Sequence, residues 1–233
     1  MIFAVMVDII ITGFGEFGGV KDNPTTHLIN HFHQNGIPGI GKEQIRALKV
    51  LHVSVETGGQ QLKELQEACK GSSNIQLWIH LGVSAKATTF CLEQRAQNCL
   101  DFPEYADECG KKACNEPIVD NDSIGARYCS SLPLGDIHQI LEENKGFGDI
   151  CQVSQDAGKF ICNYVYFKSL EFCRQGDNRF GMFLHVPLFS VIPMERQVEF
   201  ISSLLQILVD ECGKPNPFPA RIQAKRSVWD GLE

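Results

Sequence analysis

The stretch Asp8-Ile9-Ile10-Ile11-Thr12-Gly13-Phe14-Gly15-Glu16-Phe17-Gly18 decides how the rest of the chain is read. A short run of branched apolar residues that stops at a glycine turn reads as a buried strand of an open α/β sheet. The turn also matches, letter for letter, the G-x-G-x-x-G fingerprint of dinucleotide-binding folds. Its surroundings argue against that use. Gly19, Asn23 and Pro24 keep the chain in a loop where the fingerprint requires a helix. Glu16 would repel a pyrophosphate, and no strand-ending acid follows about 20 residues on. Phe14 and Phe17 suggest instead a flat apolar pocket for an uncharged ring, or simply two caps on the core.

Before this strand, Met1 to Val7 is apolar but has no basic leader, so it reads as the start of the strand and not as a signal peptide. Beyond it, apolar runs alternate with helical patterns. Helices are expected over Pro24 to Asn35, Gln60 to Lys70, Leu134 to Asn144, Ala157 to Arg174 and Pro193 to Cys212. Strands are expected over Gln44 to Ser54, Ile75 to Leu81, Ile150 to Ser154 and Phe183 to Val186. Leu100 to Asp122, with cysteines, acids and turn residues in no clear period, reads as a long loop or small subdomain. The alternation implies an α/β fold with helices on both faces of a mainly parallel sheet. Residues 1–213 are expected to form one such domain and 214–233 a loose, basic tail carrying Lys225, Arg226 and Trp229.

Composition excludes several classes. The 233 residues are 43% hydrophobic and 21% charged, enough to build a core without staples. The net charge of −7 speaks against nucleic acid or an anionic membrane as partner. No apolar run is long enough to span a bilayer. The 10 cysteines are irregularly spaced, and a reduced, cytosolic protein is the expectation. Cys91, Cys99, Cys109 and Cys114 are too unevenly placed for a zinc site. His27 and His31 have helical spacing but no acidic partner of the metalloprotease kind.

Ligands on an open α/β sheet bind beyond the carboxyl ends of its strands. Three chemically able residues fall on that edge. Cys162 is placed about one turn into a helix capped by Ser154 or Asp156, where the helix dipole favours a thiolate. His185 ends an apolar strand just before Pro187. Glu93 follows the strand that closes at Leu81-Gly82. Each alone has an ordinary reading: a core thiol, a satisfied core histidine, a solvated acid. Together they are the cysteine, imidazole and carboxylate that acyl transfer uses.

Four blocks in register carry a resemblance. They are Thr12 to Gly18 with Asn23-Pro24, His80 to Ser84 running on to Leu92-Glu93-Gln94 and Asn98, Asp156 to Tyr164, and Phe183 to Pro187. At these residues the chain resembles the pyroglutamyl-peptidase I family of cysteine peptidases, which remove an N-terminal pyroglutamate from peptides. The resemblance implies a three-layer α/β/α sandwich around a central twisted, mostly parallel (mixed) sheet. It implies Cys162 as nucleophile, His185 as acid and base, and Glu93 as the group orienting it. It implies Phe14, Phe17, Asn23, Phe160 and Ile161 as the substrate-binding set, and no metal or cofactor. The expected partner is an N-terminally pyroglutamylated peptide, and the protein a monomer or homo-oligomer. The chain departs from the family pattern at Glu16 and Val83, at Leu188 where a second proline is usual, and between Asp101 and Gly110, which offers no arginine to an oxyanion. Two other classes stay open beside it: a non-catalytic binding protein of the same fold, and a dinucleotide-binding protein.

Overall fold

The computed structural model describes residues 6–17 and 22–212, so Gly18, Gly19 and the basic tail lie outside the described residues. In chain order the elements are β1 (Val7–Phe14), α1 (Pro24–Asn35), β2 (Ile45–Leu51), α2 (Thr57–Cys69), β3 (Ile75–Val83), β4 (Phe90–Glu93), β5 (Arg95–Gln97), β6 (Leu100–Phe102), β7 (Ala113–Glu116), β8 (Arg127–Cys129), α3 (Leu134–Lys145), β9 (Cys151–Ser154), α4 (Ile161–Cys173), β10 (Arg179–Val186) and α5 (Met194–Cys212). Six strands form one sheet in the order β2-β1-β3-β10-β4-β9. The first four run parallel, β4 pairs antiparallel with β10, and β9 runs parallel to β4.

Side chains alternate across this sheet, so each strand feeds two cores. Ile9, Ile11, Leu77, Ile79, Leu81, Phe90, Leu92, Met182, Leu184 and Val186 pack with residues of α1, α3 and α5 on one face. Ile10, Phe14, Trp78 and Phe183 pack with residues of α2 and α4 on the other. This is the expected three-layer arrangement. The reversed pair β4 and β9 makes the sheet mixed.

Two boundaries differ from the sequence reading in ways that bear on the site. Glu93 does not sit in a loop. It ends β4, a four-residue central strand too short and too irregular in composition to stand out by period. Nor does the helix bearing Cys162 begin near Ala157. Gly158 takes a positive φ of 78°, which breaks the helical path, and Asp156 Oδ1 accepts from the Gly158 N–H to close a turn. The helix starts at Ile161 with Phe160 at its N-cap, and neither Ser154 nor Asp156 caps it.

The segment Leu100 to Asp122, read as a long loop or small subdomain, holds one hairpin-like ladder, β6 with β7, and a second, β5 with β8, flanks it. Asp107 anchors it: this buried carboxylate accepts main-chain N–H from Val55, Cys109 and Lys111. Glu108 likewise accepts from the Val53 N–H. The insert is thereby tied to the loop that follows β2.

Candidate active site

The floor of the site is one level of the sheet at its active edge. Gly82 of β3, His185 of β10, Cys91 of β4 and Gln152 of β9 stand side by side in the register. Cys162, the second residue of α4, reaches down over Gly82. A Cβ built on Gly82 would lie 3.1 Å from the Cys162 sulfur and 2.6 Å from the Phe183 ring, so glycine is what admits the thiol here. The main-chain N–H groups of Ile161, Cys162 and Asn163 belong to the first turn and have no helical carbonyl to bond. Cys162 thus lies at the positive pole of the helix.

Asn163 holds this helix end in place. Its amide donates to the carbonyls of Gln97 and Cys99, and its Oδ1 accepts from the Gln97 N–H. The buried side chain therefore completes the pairing of β5 from one side, a role that its position beside the cysteine signals only in retrospect.

His185 is 9% exposed and Glu93 2%. The His185 Nδ1 donates to Glu93 Oε1 at 2.8 Å, which leaves Nε2 for the thiol. Burial on its own would lower the pKa of this imidazole. Hydrogen bonds with the Cys162 sulfur and the Glu93 carboxylate outweigh it and raise the value to about 10. The ring is thus held as an imidazolium between two groups that carry or can carry negative charge. Tyr166, one turn past the cysteine, donates its hydroxyl to the Glu93 main-chain oxygen at 2.6 Å and fixes the end of β4. Sequence reading did not single out Tyr166.

A second histidine lies beneath the site. His80 is fully buried and shares a 2.7 Å hydrogen bond with Thr12 Oγ1. Burial lowers its pKa to about 3, so it is neutral, and its Nε2 has no partner among the described residues.

The glycine loop is built for support. Asn23 caps α1 by accepting from the Thr25 N–H, and its amide donates to the Gly15 carbonyl at 2.8 Å. Phe14 N–H donates to Thr25 Oγ1, and Thr26 Oγ1 donates to the Phe14 carbonyl. A Cβ on Gly13 would fall 2.8 Å from the Thr25 carbonyl oxygen, so this glycine allows close approach of α1 rather than phosphate binding.

The two phenylalanines of the loop part company. Phe14 is buried against Phe183, whereas Phe17 packs on Phe160 with ring centroids 4.6 Å apart. Ile161 is buried in the α4 core. Outside the Phe17–Phe160 pair lies a cavity of about 270 Å³, completed by Asp101, Phe102, Pro103, Glu104 and Tyr105 of the insert. No period in the sequence marks these residues. His27 is an exposed partner of Asp22, and the His31 main-chain carbonyl accepts from the Asn35 side-chain amide. None of the ten cysteines is in a disulfide. Among the described residues no three His, Cys, Asp or Glu side chains gather as a metal site.

The profile of the family described as pyroglutamyl peptidase matches residues 7–206. The chain belongs to that family. Two relatives are the pyrrolidone-carboxylate peptidases of Thermococcus litoralis, 31% identical over 78% of this chain and 77% of its own, and of Pyrococcus furiosus, 32% identical over 77% and 80%. The solved structure of the Thermococcus litoralis pyrrolidone carboxyl peptidase covers 88% of this chain and 94% of its own, with a TM-score of 0.73 at 27% identity.

Proposed function

We propose that this protein is a cysteine-type hydrolase that removes an N-terminal pyroglutamyl group from peptides. Family membership supports the activity. The single geometric observation that carries the mechanism is the His185 ring, bonded to Glu93 on one side, with the Cys162 sulfur over Gly82, its neighbour in the sheet register, on the other.

In this reading Cys162 attacks the pyroglutamyl carbonyl as a thiolate, favoured by the helix N-terminus and by the imidazolium. The tetrahedral oxyanion is held by main-chain N–H groups of the first turn of α4. His185 passes its proton to the departing amine, leaving a thioester. It then takes a proton from water as the water oxygen attacks the thioester carbon, and the C–S bond breaks to release pyroglutamate and restore the thiolate–imidazolium pair. Glu93 keeps the ring oriented and its charge balanced. Phe14, Phe17, Asn23, Phe160 and Ile161 form and support the ring pocket, where aromatic faces bury a flat lactam. A charged N-terminus in that pocket would lose hydration without a partner, so ordinary peptides are discriminated against. Residues 1–213 are the catalytic unit, and the protein works in the cytosol. Among the described residues no helix is long and apolar enough to cross a membrane.

The deciding experiment is hydrolysis of pyroglutamyl-aminomethylcoumarin by the reduced protein, with and without iodoacetamide. Turnover that is abolished by alkylation and falls roughly 10⁴-fold or more in Cys162→Ala is the expected result. A folded, reduced protein with no turnover would instead mark a binding protein on the same scaffold.

A further inference from the structure

The level of the sheet that carries His185 continues past it. On one side of His185 stands Gly82, with the Cys162 sulfur above it. On the other side stand Cys91 and then Gln152. Both face the α4 side, because their neighbours Phe90, Leu92, Cys151 and Val153 point into the opposite core. Adjacent strands are about 4.8 Å apart. Cys91 thus lies one strand beyond the imidazole and Gln152 two strands beyond it, roughly 10 Å away. Across the sheet the order is Phe14 on β1, the thiol over β3, His185 on β10, Cys91 on β4 and Gln152 on β9.

This order gives the substrate a direction. In the peptidase reading the acyl ring occupies the Phe14 side of the thiol. The departing nitrogen must stand at His185 to receive its proton. The rest of the peptide therefore continues away from the ring, over Cys91 and Gln152. That stretch is open: Cys91 is half-buried, and Thr89 beside it likewise, while Gln152 is exposed. It is also organised. The Gln152 amide nitrogen donates to Thr89 Oγ1 at 3.1 Å and lies 3.4 Å from the Cys91 sulfur. Both donors of that amide are so directed inward, and its Oε1 has no partner among the described residues.

We infer that Thr89, Cys91 and Gln152 form the subsite for the first residue of the departing peptide, with Gln152 Oε1 accepting a main-chain N–H of that peptide. The inference rests on the peptidase reading above and adds a specificity-determining residue to it. The subsite takes an uncharged peptide backbone, and its floor, a thiol and a hydroxyl, suits a small or apolar side chain.

The test compares two substrates: pyroglutamyl-alanyl-alanine, which reaches the subsite, and pyroglutamyl amide, whose leaving group ends at the nitrogen. Gln152→Ala is made on an exposed position of the edge strand, and its melting temperature is checked against wild type. It is expected to lower kcat/KM for the tripeptide about five-fold more than for the amide, the effect of one hydrogen bond. Gln152→Glu, which keeps an acceptor oxygen, is expected to recover most of the lost ratio. Equal effects on both substrates, or none on either, would overturn the subsite while leaving the peptidase intact. A wild-type protein inert on both substrates would remove the peptidase reading and the subsite with it.

Discussion

The two faces of the central sheet are made by the same strands and differ in almost everything else. On the face covered by α1, α3 and α5, β3 presents Leu77, Ile79 and Leu81, and β10 presents Met182, Leu184 and Val186. On the face covered by α2 and α4, the same strands present Gln76, Trp78, His80 and Gly82, and Gly181, Phe183 and His185. The first face is continuous hydrocarbon, closed by contacts such as the parallel stacking of Phe90 on Phe200 at 3.8 Å. The second holds Glu93, His80, Thr12 and Asn163, all buried and all polar. Buried polar groups cost stability unless paired. One face anchors the fold, and the other spends part of that stability on a preorganised site.

Substitutions should separate the two faces. The largest effect is expected from Glu93→Gln. It keeps a hydrogen-bond acceptor near His185 but removes the charge that balances the imidazolium. Loss of roughly 10³ in kcat is expected, with a lowered melting temperature at and below neutral pH because the buried imidazolium loses its counter-charge. A mutant that keeps near wild-type kcat would show that the carboxylate only fills space. Next comes Phe200→Ala on the opposite face. The cost is about 3–5 kcal/mol of unfolding free energy in denaturant titration, with kcat per folded molecule preserved. A kcat that fell in proportion would mean that the faces are mechanically coupled.

Per pH unit the smallest effects are those of titration, and both histidines involved lie on the site face. The folded pKa of His185 is raised from about 6.5 to about 10. Its contribution to stability is fully present below about 6.5 and is lost as pH rises through 10, and the proton needed by the leaving group is lost over the same range. His80 is lowered to about 3, so below about 6.5 the unfolded chain binds a proton that the folded chain refuses. Stability should then fall by at most about 1.4 kcal/mol per pH unit between about 6.5 and 3 from this group. Unfolding free energies measured from pH 4 to 7 should show a shallower acid slope in His80→Gln. An unchanged slope would assign acid sensitivity elsewhere.

Much of this was legible in the chain itself. The bounds of α1 follow from Asn23-Pro24 and Gly36, a capping residue, a helix-starting proline and a glycine stop, and the structure returns Pro24–Asn35. The strand core around Ile9 to Ile11 was plain from composition. Less legible was β4, because four residues of mixed polarity carry no period, and its strand character comes from pairing with β10 and β9. The start of α4 was misplaced by four residues because Asp156 looks like a cap in sequence and serves a turn in the fold. The insert beyond β5 could not be parsed, since Asp107 organises it through contacts more than fifty residues away in the case of Val55.

By itself the sequence determined the α/β alternation, the family blocks and the identity of Cys162, His185 and Glu93 as the residues to watch, because apolar period, glycine turns and residue chemistry are local properties. Only the tertiary structure decided that the His185 ring lies between the other two, that Glu93 stands at the end of a reversed strand, and that Gln152 shares a level with His185. Those facts depend on strand order and register, which are set by packing across distant parts of the chain. No local pattern encodes them.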